Sequence, residues 1–358
     1  MIKTRFLAYY LPQFHAIPEN DEWWGKGFTE WTNVRKAVPL YNGHRQPRVP
    51  SELGYYNLLD TEVMTRQSNM AQQYGIDGFA YWHYWFGGGK RLLEKPSQLM
   101  LDNKDITIPF CFAWANQTWT GIWHGLDNKV LMAQEYPGMQ DAIDHFYEVL
   151  PFFNDARYIK IDNRPVFIIY KPWEHPFLQS FADLWQSLAL KNGFDGVHFV
   201  GVSYSPELPE GLQAIALQQK YFLQKPIRFL DGMFKRIAGT TLTEYIRQSK
   251  YGCNRLDFGK VIQLVENEDF PTHCYPTILS GWDNTPRSGK RGVVLENYDP
   301  DSFQVMCRAV VQKLMATRAD FCMVKSWNEW AEGNYLEPDE KYGRKFLDVF
   351  SNARRSLG

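Results

Sequence analysis

The chain has 358 residues, 44% of them apolar and 22% charged, with a formal net charge of −1. That balance supports a large buried core and argues against disorder, a nucleic-acid face or an anionic membrane as the main partner. Five scattered cysteines (Cys111, Cys253, Cys274, Cys307 and Cys322) form no CxxC pair or Cys/His spacing, which favours reduced thiols over zinc or a disulfide framework.

The first predicted element is the strand Arg5–Tyr10, RFLAYY. The start MIKTRFLAYYLPQFH is too short in its apolar run for a secretory leader and lacks a small-residue cleavage site. No stretch approaches the roughly 18 consecutive apolar residues of a membrane span, so a soluble, cytoplasmic protein is expected. Residues 11–60 form a long insertion, followed by the helical pattern TEVMTRQSNMAQQYG ending on Gly75 and the strand Gly78–Trp82. The glycines at 87–89 lie in a loop and lack the lysine–hydroxyl ending of a phosphate loop. Next come the strand Ile108–Trp114, the helix DAIDHFYEVLPFF, a turn at DNRP and the strand Pro165–Tyr170. The helix PFLQSFADLWQSLALKNG and the strand His198–Val202 follow, then an ambiguous eighth strand around Leu212–Gln218. Residues 221–270 read as a second long irregular insertion. The strand Thr277–Ser280, the helix PDSFQVMCRAVVQKLMATR and the strand Phe321–Trp327 complete the series.

Strand and helix alternate throughout, which predicts a parallel sheet with right-handed crossovers. Eight strands close a (β/α)8 TIM-type barrel. An open doubly wound sheet is the alternative, but no dinucleotide fingerprint follows the first strand. No internal repeat or linker interrupts the pattern, so residues 1–358 are expected to form a single catalytic domain.

In such a barrel, functional groups collect at the C-terminal ends of the strands. There the sequence interleaves aromatic and polar residues: Tyr10 after the first strand, Trp82 and His83 after the second, and Trp114 and Asn116 after the third. Trp282, Asp283 and Arg287 follow the seventh, and Asn328, Glu329, Trp330 and Glu332 follow the last. Aromatics are 16% of the chain, and eight of thirteen tryptophans precede residue 125. Flat apolar faces beside hydrogen-bonding groups suit a polyhydroxylated ligand, so an oligo- or polysaccharide is the expected partner.

Glu329 and Glu332 lie three residues apart in SWNEWAEGNYLEP, with Glu337 beyond them. Glycosidic-bond cleavage uses two carboxyl groups, one of them a proton donor with a raised pKa. A spacing of three permits both retaining and inverting separations. Trp327 and Trp330 are expected to wall the cleft and, with the second carboxylate, to raise one glutamate's pKa. The bland reading of the same acids is a solvated first helical turn. Asp283 also reads as a simple turn residue, His83 as a packed hydrogen bonder, and Tyr170 as the end of its strand. No metal site and no cofactor are implied.

Six stretches together (AYYLPQFH, HRQPRVPSELGYY, YGIDGFAYWHYWF, CFAWANQTW, GWDNTPR and SWNEWAEGNYLEP) resemble the WbsX-type proteins of bacterial surface-polysaccharide gene clusters, commonly labelled glycosyltransferases. The resemblance covers about residues 4 to 348. The same skeleton is similar to glycoside hydrolase family 99, the endo-α-mannosidases and endomannanases, whose fold is a (β/α)8 barrel. That family's Asn-Glu-Trp-x-Glu-Gly motif is matched by Asn328, Glu329, Trp330, Glu332 and Gly333. The resemblance implies a retaining, neighbouring-group mechanism. Glu329 would deprotonate the sugar 2-hydroxyl to give a 1,2-anhydro sugar, and Glu332 would act as acid and then base. Ala331 stands where those hydrolases commonly have histidine, and the residues after Gly333 also differ, so the sugar is left open. The rivals are a glycosyltransferase of O-antigen or other surface-polysaccharide assembly and a glycan-binding protein that has lost catalysis. Against the transferase, the sequence is read as having neither an Asp-x-Asp metal clamp for a nucleotide diphosphate nor a phosphate-binding glycine loop.

Overall fold

A computed structural model describes residues 4–121, 129–219 and 253–357. Eight parallel strands close a barrel in chain order: β1 (Arg5–Tyr10), β2 (Gly78–Trp85), β3 (Phe110–Trp114), β4 (Arg164–Ile169), β5 (His198–Ser203), β6 (Ala214–Leu217), β7 (Cys274–Leu279) and β8 (Phe321–Lys325). Closure is through β1, where Leu7 sits opposite Gly78 of β2 on one side and Met323 of β8 on the other. The ambiguous segment around 212–218 supplies β6, which pairs with β5 and β7.

Two helices, α1 (Pro18–Trp24) and α2 (Glu30–Lys36), occupy the insertion after β1. The outer layer is α3 (Thr61–Gln73), α4 (Lys95–Asp102), α5 (Met139–Phe153), α6 (Leu178–Lys191) and α7 (Phe258–Asn267). The short α8 (Thr285–Ser288) follows β7, then α9 (Pro300–Thr317) and, after β8, α10 (Lys345–Arg355). Residues 204–213, between β5 and β6, hold no helix.

Two sequence readings need correction. The region 221–270 is not irregular where it is described: Asn254–Asp257 is a strand paired with Val293–Glu296, and α7 follows at once. Phe258, Val261, Ile262 and Val265 of α7 are buried at three- and four-residue spacing, a pattern present in the sequence but hidden behind a segment without clear punctuation. Residues 220–252 lie outside the described part. The chain also contains one Asp-x-Asp spacing, at Asp299 and Asp301, but it serves a helix start. The Asp299 carboxylate accepts from the Ser302 amide, the Ser302 hydroxyl accepts from the Asp299 amide, and Pro300 sits in the first turn of α9.

Period-two alternation decides which rim residues can meet a ligand, because successive strand side chains point to opposite faces. Tyr10 faces outward and donates its hydroxyl to Gln67 of α3 at 2.7 Å. His83 faces outward to His145 of α5, 2.9 Å between ring nitrogens, and Trp114 packs on His145 and on Phe181 of α6. One residue away in each strand the chain points inward, and Tyr9 stacks on Trp82 of the neighbouring strand at 4.9 Å. No helix among the described residues is long and apolar enough to cross a membrane.

Candidate active site

The loop after β8 is pinned before it presents any carboxyl group. Asn328 accepts from the Leu11 amide and donates to the Leu11 carbonyl, tying the loop to the end of β1. The Ser326 hydroxyl donates to the Asn334 carbonyl and accepts from the Glu329 amide. Gly333 closes the turn at φ 57°, and a Cβ there would meet Asp283 and Arg48 atoms at 2.8 to 2.9 Å. Only glycine suits both that backbone and that space.

Glu329 and Glu332 then face one cleft of about 630 Å³ at the barrel mouth. Its walls are aromatic, with Trp24, Trp82, Tyr84, Trp119, Tyr170 and Trp282 among the lining residues. Glu329 is buried and accepts from the indole N–H of Trp82 at 2.7 Å. The Glu332 carboxyl lies within its hydrogen-bonding reach. Burial first, and then Glu332, push the Glu329 carboxyl up to about 8, while Lys325 and Arg287 pull it down. Glu329 therefore keeps its proton at neutral pH, because burial and a neighbouring carboxylate both resist its ionisation. Glu329 is the more enclosed of the two.

Arg287 of α8 pairs with Glu332 and, at 2.7 Å, with Glu30 of α2. Glu30 also accepts from the Ala331 amide at 3.0 Å. Burial raises the Glu30 carboxyl while Arg287 works against it. Burial alone would lower Arg287, but Glu30, Glu332 and Glu329 more than reverse that. The Glu30–Arg287–Glu332 chain thus holds Glu332 toward the cleft.

Of the ten expected site residues, four line the cleft: Trp82, Trp282, Glu329 and Glu332. The other six do not. Tyr10, His83 and Trp114 point into the helix layer, as strand alternation requires. Asn116 is fully buried, donating to the Tyr136 hydroxyl and the Lys171 carbonyl. Asp283 is buried against the insertion, accepting from His44 at 2.9 Å, Gln46 at 2.7 Å and Thr285, with Arg48 at 3.6 Å. The HRQPR stretch is thus a clamp on the loops after β7 and β8, with Arg48 also donating to the Gly333 carbonyl. Trp330 stacks on Tyr335 at 3.8 Å and donates to Glu337. Trp327 is likewise buried, so neither tryptophan beside the acids walls the cleft.

Glu30, Tyr170 and Lys325 are cleft residues absent from the expected set. Tyr170 was findable, since it lies an even number of residues from the inward-facing Ile168. Glu30 was not, because α2 reaches the cleft only through the path of the insertion. Among the described residues no cluster of three His, Cys, Asp or Glu side chains could hold a metal ion.

The fold is shared with solved structures of low sequence identity. The GH99 endo-alpha-mannosidase from Bacteroides thetaiotaomicron aligns over 100% of this chain and 99% of its own, at 14% identity and a TM-score of 0.56. A structure described as a glycoside hydrolase-like protein aligns over 99% of this chain and 94% of its own, at 14% identity and 0.57. Among curated proteins, the uncharacterized protein WxcX of Xanthomonas campestris pv. campestris is 33% identical over 356 residues, 98% of this chain and 50% of the relative. The chain therefore spans about half the length of the curated relatives it matches. Residues 6–350 match the family described as Glycosyltransferase WbsX, so the chain belongs to that carbohydrate-active family.

Proposed function

We propose that this chain is a single catalytic unit that cleaves or rearranges an internal α-glycosidic bond with retention, Glu329 acting as base and Glu332 as acid and then base. The observation that carries the reading is the pair of carboxyl groups facing one aromatic cleft, with Glu329 raised by burial and by Glu332. In the first step Glu329 takes the 2-hydroxyl proton, O2 bonds to C1, the C1–O glycosidic bond breaks, and Glu332 protonates the departing oxygen. In the second, Glu332 takes a proton from water or an acceptor hydroxyl as that oxygen bonds to C1. The C1–O2 bond then breaks, and O2 recovers its proton from Glu329. At rest Glu329 holds a proton, so ligand binding must pass it to Glu332 before Glu329 can act as base. The contact between the carboxyls supports that transfer without a change in proton count.

A second reading, transfer from an activated or lipid-linked donor, is favoured by the family description. It uses the same pair with a sugar hydroxyl in place of water. The test is a mass-spectrometric screen of wild type and Glu332→Gln against α-linked oligosaccharides, with and without nucleotide-sugar donors. Shortened or rearranged glycans from wild type alone, without donor, are expected. Products longer by one sugar only when donor is present would overturn hydrolysis in favour of transfer.

A further inference from the structure

Lys325 ends β8 and lines the cleft beside the carboxyl pair. Its residue is only 9% exposed. Its backbone is held firmly: the Lys325 carbonyl accepts from the Ser280 amide and hydroxyl and from Asn334. The ammonium lies 4.9 Å from the centre of the Trp282 ring. Among the described residues it has no carboxylate within ion-pairing distance, in contrast to Arg287, which has two.

With no carboxylate of the described residues within ion-pairing distance of it, the ammonium can make its charge-assisted hydrogen bond to a ligand, and an anion is a stronger acceptor for it than a neutral hydroxyl.

We propose that Lys325 forms an anion subsite, so that the glycan taken by this cleft carries a carboxylate or phosphate group next to the residue being attacked. This rests on the glycan-processing reading above and narrows its substrate to acidic sugars: uronic or ulosonic acids on one hand, phosphorylated or phosphate-linked sugars on the other. The competing role for Lys325 is to tune Glu329 through its charge alone. That role would affect acidic and neutral ligands equally.

The experiment measures binding by calorimetry to matched pairs: α-linked oligogalacturonides against their methyl esters, and α-D-glucose 1-phosphate and α-D-mannose 1-phosphate against the methyl α-glycosides. Wild type, Lys325→Met and Lys325→Arg are compared, with turnover of each oligosaccharide followed separately. The expected result is a preference for the charged member that falls about tenfold or more in Lys325→Met and returns in Lys325→Arg, as for a lost charge-assisted contact. Which pair shows it distinguishes carboxylate from phosphate. No preference in wild type, or a preference unchanged by Lys325→Met, overturns the subsite. An acidic preference without any bond cleaved or transferred leaves the subsite standing and sinks the catalytic reading. Turnover of neutral glycans without acidic preference does the reverse.

Discussion

Two glutamates of the same loop, eight residues apart, are both buried and both raised, yet they sit in opposite surroundings. Glu337 is boxed in by three neutral donors: Tyr56 at 2.9 Å, Gln67 at 2.6 Å and the Trp330 indole at 2.6 Å. Burial lifts it to about 7 against the pull of those bonds. Glu329 has one such donor, Trp82, while its other neighbours are a second carboxyl group and the open cleft. A raised carboxyl is therefore not by itself a catalytic sign. What separates the two is whether a ligand can reach the proton. Glu337 braces the Trp330 that stacks on Tyr335, while Glu329 faces the cleft.

The comparison breaks most sharply on activity. Glu329→Gln and Glu332→Gln are each expected to lower turnover by about 10²- to 10⁴-fold with an unchanged melting temperature or a higher one. Glu337→Gln is expected to act on stability instead. It replaces an acceptor of three hydrogen bonds by an amide that must turn one N–H toward a donor, costing about 1–3 kcal/mol in denaturant titrations. Equal loss of activity per folded molecule in all three variants would erase the distinction.

Arg287→Met separates the cleft from its support. It leaves Glu30 buried without its partner and is expected to cost about 3 kcal/mol in urea unfolding. Glu30→Gln combined with Arg287→Met should recover part of that, because the uncompensated buried charge is gone. A double variant no more stable than Arg287→Met would deny the coupling.

The smallest effect is read with pH. Glu329 and Glu337 have folded-state values raised above the usual carboxylate range, so their contribution to stability is full at acid pH and is lost as pH rises through about 7 and 8. The melting temperature should therefore carry a downward component between pH 5 and 9 that Glu329→Gln flattens in its upper part. Turnover should fall along the same alkaline limb, as Glu329 loses its proton. A wild-type rate that keeps rising past pH 9 would contradict a protonated Glu329 at rest.

The sequence alone determined the barrel and the location of the acids. All eight strands and the four helices read from three- and four-residue spacing are present, because apolar periodicity is a local property of the chain. The strand-end rule led to the loop holding Glu329 and Glu332 for a similar reason, since polar residues interrupt an apolar strand only where it meets the rim. Only the tertiary structure decided which rim residues face the cleft. Trp82 and His83 are adjacent in the chain, yet one donates to Glu329 and the other meets α5. Composition cannot distinguish them until the direction of the strand's first side chain is fixed. The roles of Asp283 as an anchor, Glu30 as a brace and Lys325 as an unpaired cation are set by contacts spanning tens to hundreds of residues. Asp283 meets His44 across 239 positions and Arg287 meets Glu30 across 257, so no local pattern encodes them.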